Sequence, residues 1–269
     1  MSRRSGGKYG PSSDARGREP GSGHRPQKRS GQKHPYLYGL HTVGEALANP
    51  KRRHRALLIT ENALRRLEER MPVLPIAPQI VKPDEIDRLV GMDAVHQGVA
   101  LDTESVPAPH LRDLPAKGIL LVLDQVTDPH NVGAIMRSAA AFGAEGLIVT
   151  ERHSAEANGV LAKAASGGLE YCPLIEVVNL AQTLTELGDM GYWRVGLDSG
   201  GLAIVADSLA TAPIALVLGA EGKGLRRLTR ERCDVLARLD MPGPIKSLNV
   251  SNAAAVALFT VHNVLRTKG

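Results

Sequence analysis

The chain is poor in aromatic residues: one tryptophan, two phenylalanines and five tyrosines among 269 residues. Sheets that bind single-stranded RNA stack bases on several exposed rings, and this chain has too few to rely on that mode. Any RNA would be recognised through shape and phosphates. Cysteine is scarcer still. Cys172 and Cys233 cannot staple a chain of this length, and are expected to be buried, inert thiols in a reducing cytosol. No apolar run approaches the roughly 20 residues that span a bilayer. No apolar core follows the basic N-terminus before Pro35, so neither a membrane helix nor a signal peptide is expected. The nine histidines show no H-E-x-x-H and no Cys/His ligand spacing, so no metal site is expected.

What is present is ordinary globular composition, 43% hydrophobic and 23% charged, with a net charge of +5. The charge is unevenly spread. Residues 1–34 hold nine basic side chains (Arg3, Arg4, Lys8, Arg16, Arg18, Arg25, Lys28, Arg29 and Lys33) against Asp14 and Glu19, which leaves residues 35–269 at −2. This Gly-, Ser- and Pro-rich tail has little to bury and is expected to be disordered. It suits a sequence-blind tether for nucleic acid, or a solubilising extension. A second basic cluster, Lys51 to Arg55, favours the tether.

Hydrophobic patterning divides the rest. Residues 35–102 read as a small α/β domain. A short strand or turn leads to a helix near Thr42–Ala48, followed by a strand over Arg55–Thr60 and an amphipathic helix over Ala63–Arg70. Pro83 and the acids after it open another helix, and a strand over His96–Leu101 ends the unit. Residues 103–117 read as a linker. From Gly118 the pattern is that of a doubly wound α/β domain, residues 118–269. Ile119–Val126 is continuously apolar, as in a parallel strand buried on both faces. Helices are expected at Val132–Phe142, Glu156–Ala165 and Val250–Arg266. Strands are expected at Leu147–Thr150, Leu174–Val178, Trp193–Leu197, Ile214–Leu218 and Val235–Leu239. In such folds ligands sit at strand C-termini.

The glycine-rich loops are not nucleotide fingerprints. Gly219 to Gly224 has P-loop spacing but is followed by Leu225, and G-x-G-x-x-G would need glycine where Arg227 stands. No G-x-S-x-G elbow exists. Three segments remain: Leu123–Ala139, which contains Asp128-Pro129-His130-Asn131 and Arg137; Leu216–Leu225, with Gly219 and Glu221; and Met241–Ala253, with Ser247, Leu248 and Asn249. Arg137 is out of place in a helix of small apolar residues. It is either one half of an ion pair with Glu221 or Asp124 or an anion clamp beside a reaction centre. Asn131 and Asn249 stand where turn and helix caps would stand. Pro242 and Pro244 keep the chain extended, and residues 239–250 offer a backbone edge suited to a flat heterocycle.

Together these segments resemble the SpoU family of RNA ribose 2′-O-methyltransferases, of the SPOUT superfamily. The resemblance covers about residues 36–269. Tyr38-Gly39-Leu40-His41-Thr42-Val43 and His96-Gln97-Gly98-Val99-Ala100 are similar to the N-terminal RNA-binding domain of the subgroup that modifies a guanosine of large-subunit rRNA. The resemblance implies a C-terminal trefoil knot, a homodimer and S-adenosylmethionine as cofactor. It implies cofactor contacts from Gly219, Leu239, Met241 and Leu248. It implies a catalytic pocket of Asn131, Arg137, Glu221, Ser247 and Asn249, with Arg137 acting as base or as electrostatic stabiliser. Asp240 departs from the family's usual Ile-Pro-Met, here Leu239-Asp240-Met241. The activity implied is methylation of a 23S rRNA guanosine. Methylation of tRNA, or RNA binding without turnover, are the alternatives.

Overall fold

The computed structural model describes residues 36–151, 159–209 and 213–268. The tail expected to be disordered and the start of the helix expected from Glu156 lie outside the described residues.

The first layer runs β1 (Leu37–Tyr38), α1 (Leu40–Ala48), β2 (His54–Ile59), α2 (Glu61–Glu68), β3 (Pro78–Ile80), α3 (Pro83–Val90) and β4 (Val99–Thr103), with sheet order β1-β4-β2-β3. Local chemistry sets these boundaries. The Thr60 hydroxyl accepts from Ala63 N and caps α2, and Pro83 opens α3 while the Glu85 carboxylate accepts from Lys82 N. Val43, Leu47, Leu57, Ile59, Leu67, Val99 and Leu101 form the core.

The second layer begins after a 3-10 turn at Leu111–Asp113. It runs β5 (Ile119–Asp124), α4 (Pro129–Ala141), β6 (Gly146–Thr150), α5 (Gly159–Ala165), a 3-10 turn at Gly168–Glu170, β7 (Leu174–Val177), α6 (Leu180–Asp189), β8 (Trp193–Leu197), β9 (Ala203–Ile204), α7 (Val205–Ser208), β10 (Ile214–Gly219), α8 (Arg227–Glu231), β11 (Val235–Arg238) and α9 (Val250–Lys268). The seven strands are ordered β7-β6-β5-β10-β8-β11-β9, every neighbour parallel. Alternation fixes the two faces. Leu121, Leu123, Leu216 and Leu218 pack under α4 and α9, whereas Leu120, Val122, Ala215 and Val217 pack under α6. Helices cover both faces, so the expected doubly wound parallel sheet is what forms. The strand order reverses between β5 and β10, where crevices open in such sheets.

The small residues of α4 serve close packing. A Cβ on Gly133 would lie 2.5 Å from Ala164 Cβ and 2.6 Å from Leu161 O, so only glycine lets α5 approach this closely.

Residues of the segments that resemble an RNA-binding domain, and of the basic cluster, join the two layers. Gln97 Oε1 accepts from Lys163 Nζ on α5 and from Leu40 N, both at 3.0 Å. A Cβ on Gly159 would meet Tyr36 O and the Tyr38 ring at 2.6 Å. In the basic cluster, Arg52 is buried against Glu170, and Arg55 pairs with Glu104 at 3.1 Å and Asp102 at 3.8 Å. Two of its cations are thus neutralised within the fold, while Lys51 and Arg53 remain exposed.

Candidate active site

Three loops leave the C-terminal ends of β5, β10 and β11 and converge. Asp128 ends the first: its carboxylate accepts from His130 N and caps α4, placing Asn131 in the first helical turn. The second folds back on itself through a bridge between Ala220 and Gly224. Gly222 and Gly224 adopt φ of +76° and +64°, which glycine tolerates. A Cβ on Gly219 would stand 2.2 Å from Gly224 C, so this turn excludes every side chain at that position. The third is held by Lys246 Nζ donating to Met241 O at 2.5 Å and enters α9 at Asn249.

Asn249 ties the loops together. Its Nδ2 donates to Glu221 Oε1 at 2.6 Å and to Asn131 Oδ1 at 3.1 Å. Its Oδ1 accepts from Ser251 N at 2.8 Å, the capping contact of α9. Glu221 Oε1 also accepts from Val250 N at 3.3 Å. One side chain thus caps α9 and joins Glu221 to Asn131.

Beside this network lies a cavity of about 510 Å³, within the range of small-molecule sites. Gly219, Leu239, Met241 and Leu248, read from sequence as cofactor contacts, all line it, as do Glu221 and Ser247. Its wall also includes Leu197, Asp198 and Ser199 after β8, and Arg230, which sequence reading did not single out. Arg230 pairs with Asp198 across this wall. A place at a parallel-strand C-terminus signals Leu197, Asp198 and Ser199, whereas Arg230, on α8, carries no such signal. Asp240, the departure from the usual proline, is exposed and does not line the cavity.

Arg137 is elsewhere. It is exposed on α4 and forms no hydrogen bond or ion pair within the described residues. Six residues after Asn131, it lies about 9 Å further along the helix and on a different face. The ion-pair alternative fails for a plain reason: both carboxylates are already engaged. Asp124, fully buried, accepts from Arg226 N at 2.9 Å and Arg226 Nε at 2.6 Å. Glu221 is held by Asn249.

Comparison with known proteins gives a consistent picture. Residues 118–259 match the model described as the SpoU rRNA Methylase family, and residues 36–109 the one described as RNA 2'-O ribose methyltransferase substrate binding. The chain is 41% identical to the 23S rRNA (guanosine-2'-O-)-methyltransferase RlmB of Yersinia pestis, over 84% of this chain and 95% of that protein. It is 38% identical to the RlmB of Haemophilus influenzae, over 84% and 96%. Among solved structures, the SpoU methyltransferase AviRb from Streptomyces viridochromogenes in complex with AdoMet is 26% identical, with a TM-score of 0.71, over 87% of this chain and 89% of that one.

Proposed function

The chain belongs to the SpoU rRNA methylase family, and we propose that it transfers a methyl group from S-adenosylmethionine to the ribose 2′-oxygen of a guanosine in 23S rRNA. One observation carries this reading. The cavity lined by Gly219, Leu239, Met241 and Leu248 adjoins the network of Asn131, Glu221 and Asn249 at the C-terminal edge of the sheet. The enzymes named above as 23S rRNA guanosine methyltransferases supply the substrate class.

The cavity fits the cofactor by its own chemistry. Leu197, Leu218, Leu239 and Leu248 offer apolar walls for a purine, and the strand ends offer free backbone groups along its edge. Gly219 brings bare backbone to the cavity wall. When bound, S-adenosylmethionine supplies an electrophilic methyl on a sulfonium. Glu221, tied to Asn131 through Asn249, lines the cavity, and Ser247 lines it too. Arg137 offers a planar fork of donors that is always charged. It stabilises the negative charge that develops on the 2′-oxygen as the hydroxyl proton passes to solvent water and the oxygen takes the methyl, with S-adenosylhomocysteine leaving, and alignment of donor and acceptor supplies further acceleration.

Arg137 lies outside its own chain's cavity, which fits a pocket completed by a second copy. Phe259, 56% exposed, and Val256, 44% exposed, give α9 an apolar face for that homodimer. The reading includes a trefoil knot at the C-terminus and work on rRNA in the cytosol. Among the described residues no helix is long and apolar enough to cross a membrane.

The test is transfer of radiolabelled methyl from S-adenosylmethionine to unmodified 23S rRNA, with unmodified tRNA in parallel. A 2′-O-methylguanosine in digested 23S rRNA is the expected product. Label on tRNA alone overturns the substrate. No label on either RNA, with cofactor binding intact, overturns the activity.

A further inference from the structure

A second depression, of about 600 Å³, opens at the same edge of the sheet, on the side of β6 and β7. Gln125, Thr150, Asn179, Arg226 and Arg227 line it beside apolar Val178, Leu180 and Leu228, and among the described residues no carboxylate does. The charged groups in its lining are both cations, as an anion site requires. Arg226 is the best prepared of these groups. The buried Asp124 carboxylate takes its backbone N–H and Nε, so one edge of the guanidinium is locked. The side chain stays 46% exposed, and its Nη groups have no partner among the described residues. A guanidinium held by Nε presents its two Nη groups as a fork, the geometry that matches two phosphate oxygens. Arg227 adds a second cation at 77% exposure, paired among the described residues only with Glu231 one helical turn away. Asn179 spends its side-chain oxygen on Gln182 N, capping α6, which leaves its amide nitrogen as a donor.

Two of the segments that line this depression also run to the network beside the methyl-transfer pocket. The loop after β5 carries Gln125 and then Asn131. The loop after β10 carries Glu221 and then Arg226. We infer that the depression binds a phosphodiester of the substrate RNA flanking the methylated nucleotide, with Arg226 as the phosphate ligand and Asp124 as the residue that positions it. This rests on the RNA-methylation reading above. An RNA strand that places a ribose at the first pocket crosses the same strand ends and meets the fork. Few aromatic rings are available to grip bases, so phosphate contacts must contribute much of the affinity.

The experiment is filter binding of a full-length 23S rRNA transcript to the full chain between 50 and 200 mM salt, for wild type, Arg226→Lys and Arg227→Gln. Lysine keeps a cation for Asp124 but gives up the fork. Arg227 is exposed, so its variant leaves the fold intact. Thermal melting and S-adenosylmethionine affinity are measured on the same samples and are expected to match wild type. Each variant is expected to weaken RNA binding about fivefold or more, and to reduce the slope of log K against log salt by about 0.7–0.9, the value for one lost phosphate contact. Wild-type affinity and slope in both variants overturn the inference. Arg226-dependent binding of millimolar inorganic phosphate that leaves RNA affinity unchanged also overturns it, because the pocket is then a free-anion site that RNA does not occupy. Methyl transfer by wild type, read in parallel, separates the two claims: its failure with the slope changes intact sinks the activity and leaves the phosphate site standing.

Discussion

The Arg52 guanidinium donates from Nε and Nη2 to the two oxygens of Glu170, at 3.0 and 2.8 Å, and the two side chains are 5% and 4% exposed. Asn49 Nδ2 adds a third contact to Glu170 at 2.7 Å, and Arg52 Nη1 donates to Glu104 O at 2.7 Å. The pair joins the first layer to the 3-10 turn that follows α5. A desolvated ion pair gains little net stability, but removing one partner strands the other. Arg52→Ala is therefore expected to cost about 3–5 kcal/mol in chemical denaturation, and Arg52→Met with Glu170→Met to recover most of it. A single variant as stable as wild type would show that the pair is not sealed from water.

The network at Asn249 and the isolated fork of Arg137 predict different kinetic signatures. Asn249→Ala removes the donor shared by Glu221 and Asn131 and the cap of α9. It should lower turnover and cost about 1 kcal/mol of stability. Arg137→Lys touches neither the cavity nor any partner among the described residues, so S-adenosylmethionine affinity should stay at the wild-type value in calorimetry. Turnover should fall about 100-fold or more, because a point charge does not replace the fork. Near wild-type turnover would remove Arg137 from the mechanism.

Much of this architecture is legible in the sequence because burial leaves a mark. Ile119–Leu123 and Ile214–Leu218 are apolar at every position, and the structure buries both faces of these strands. Pro83 announces a helix start, whereas the helix read from Val132 begins three residues earlier, at Pro129. The pieces that escape are short: β9, α7 and α8 have two to five residues, too few for any period to show. The site divides the same way. Asn131, Glu221 and Asn249 sit in recognisable segments, yet Asp124 and Arg226, 102 residues apart, reveal their pairing only in space. Likewise Arg52 reads as one more cation in a basic run until Glu170 is found against it.

Gly219→Ala tests the cavity wall. The turn leaves 2.2 Å between a Cβ at this position and Gly224 C, and 2.5 Å to Leu225 N. Both neighbours are backbone, which cannot rotate aside as a side chain can. The loop must shift, taking Glu221 with it. S-adenosylmethionine binding should be lost in calorimetry while far-ultraviolet circular dichroism is kept. Gly143→Ala is the control, since a Cβ there meets nothing within 4 Å. Its own cost is backbone strain at φ +64°, so it should lose stability and keep cofactor affinity. Cofactor binding by Gly219→Ala at wild-type strength would mean that the turn is softer than its contacts indicate.

The two cysteines carry a prediction about alkaline pH. Burial pushes both thiols up to about 12, and for Cys233 the nearby Arg194 guanidinium only partly opposes this. The thiolate is the reactive form, so neither should react with iodoacetamide at pH 8 in the folded protein, and both should react once it is unfolded. The same shift is linked to stability. A thiol whose folded pKa lies above its unfolded value keeps its proton in the native state while the unfolded chain gives one up. Stability is then fully present below the unfolded pKa of about 8.5 and declines as pH rises towards the folded value. Wild type should therefore lose melting temperature between pH 8 and 10.5 more steeply than a Cys172→Ala, Cys233→Ala double variant. Tyr192 titrates higher still, held up by burial and by its hydrogen bond to Glu145. It is common to both proteins, so the difference between the two curves isolates the thiols. Parallel curves would show that the thiols are reached by water in the folded state.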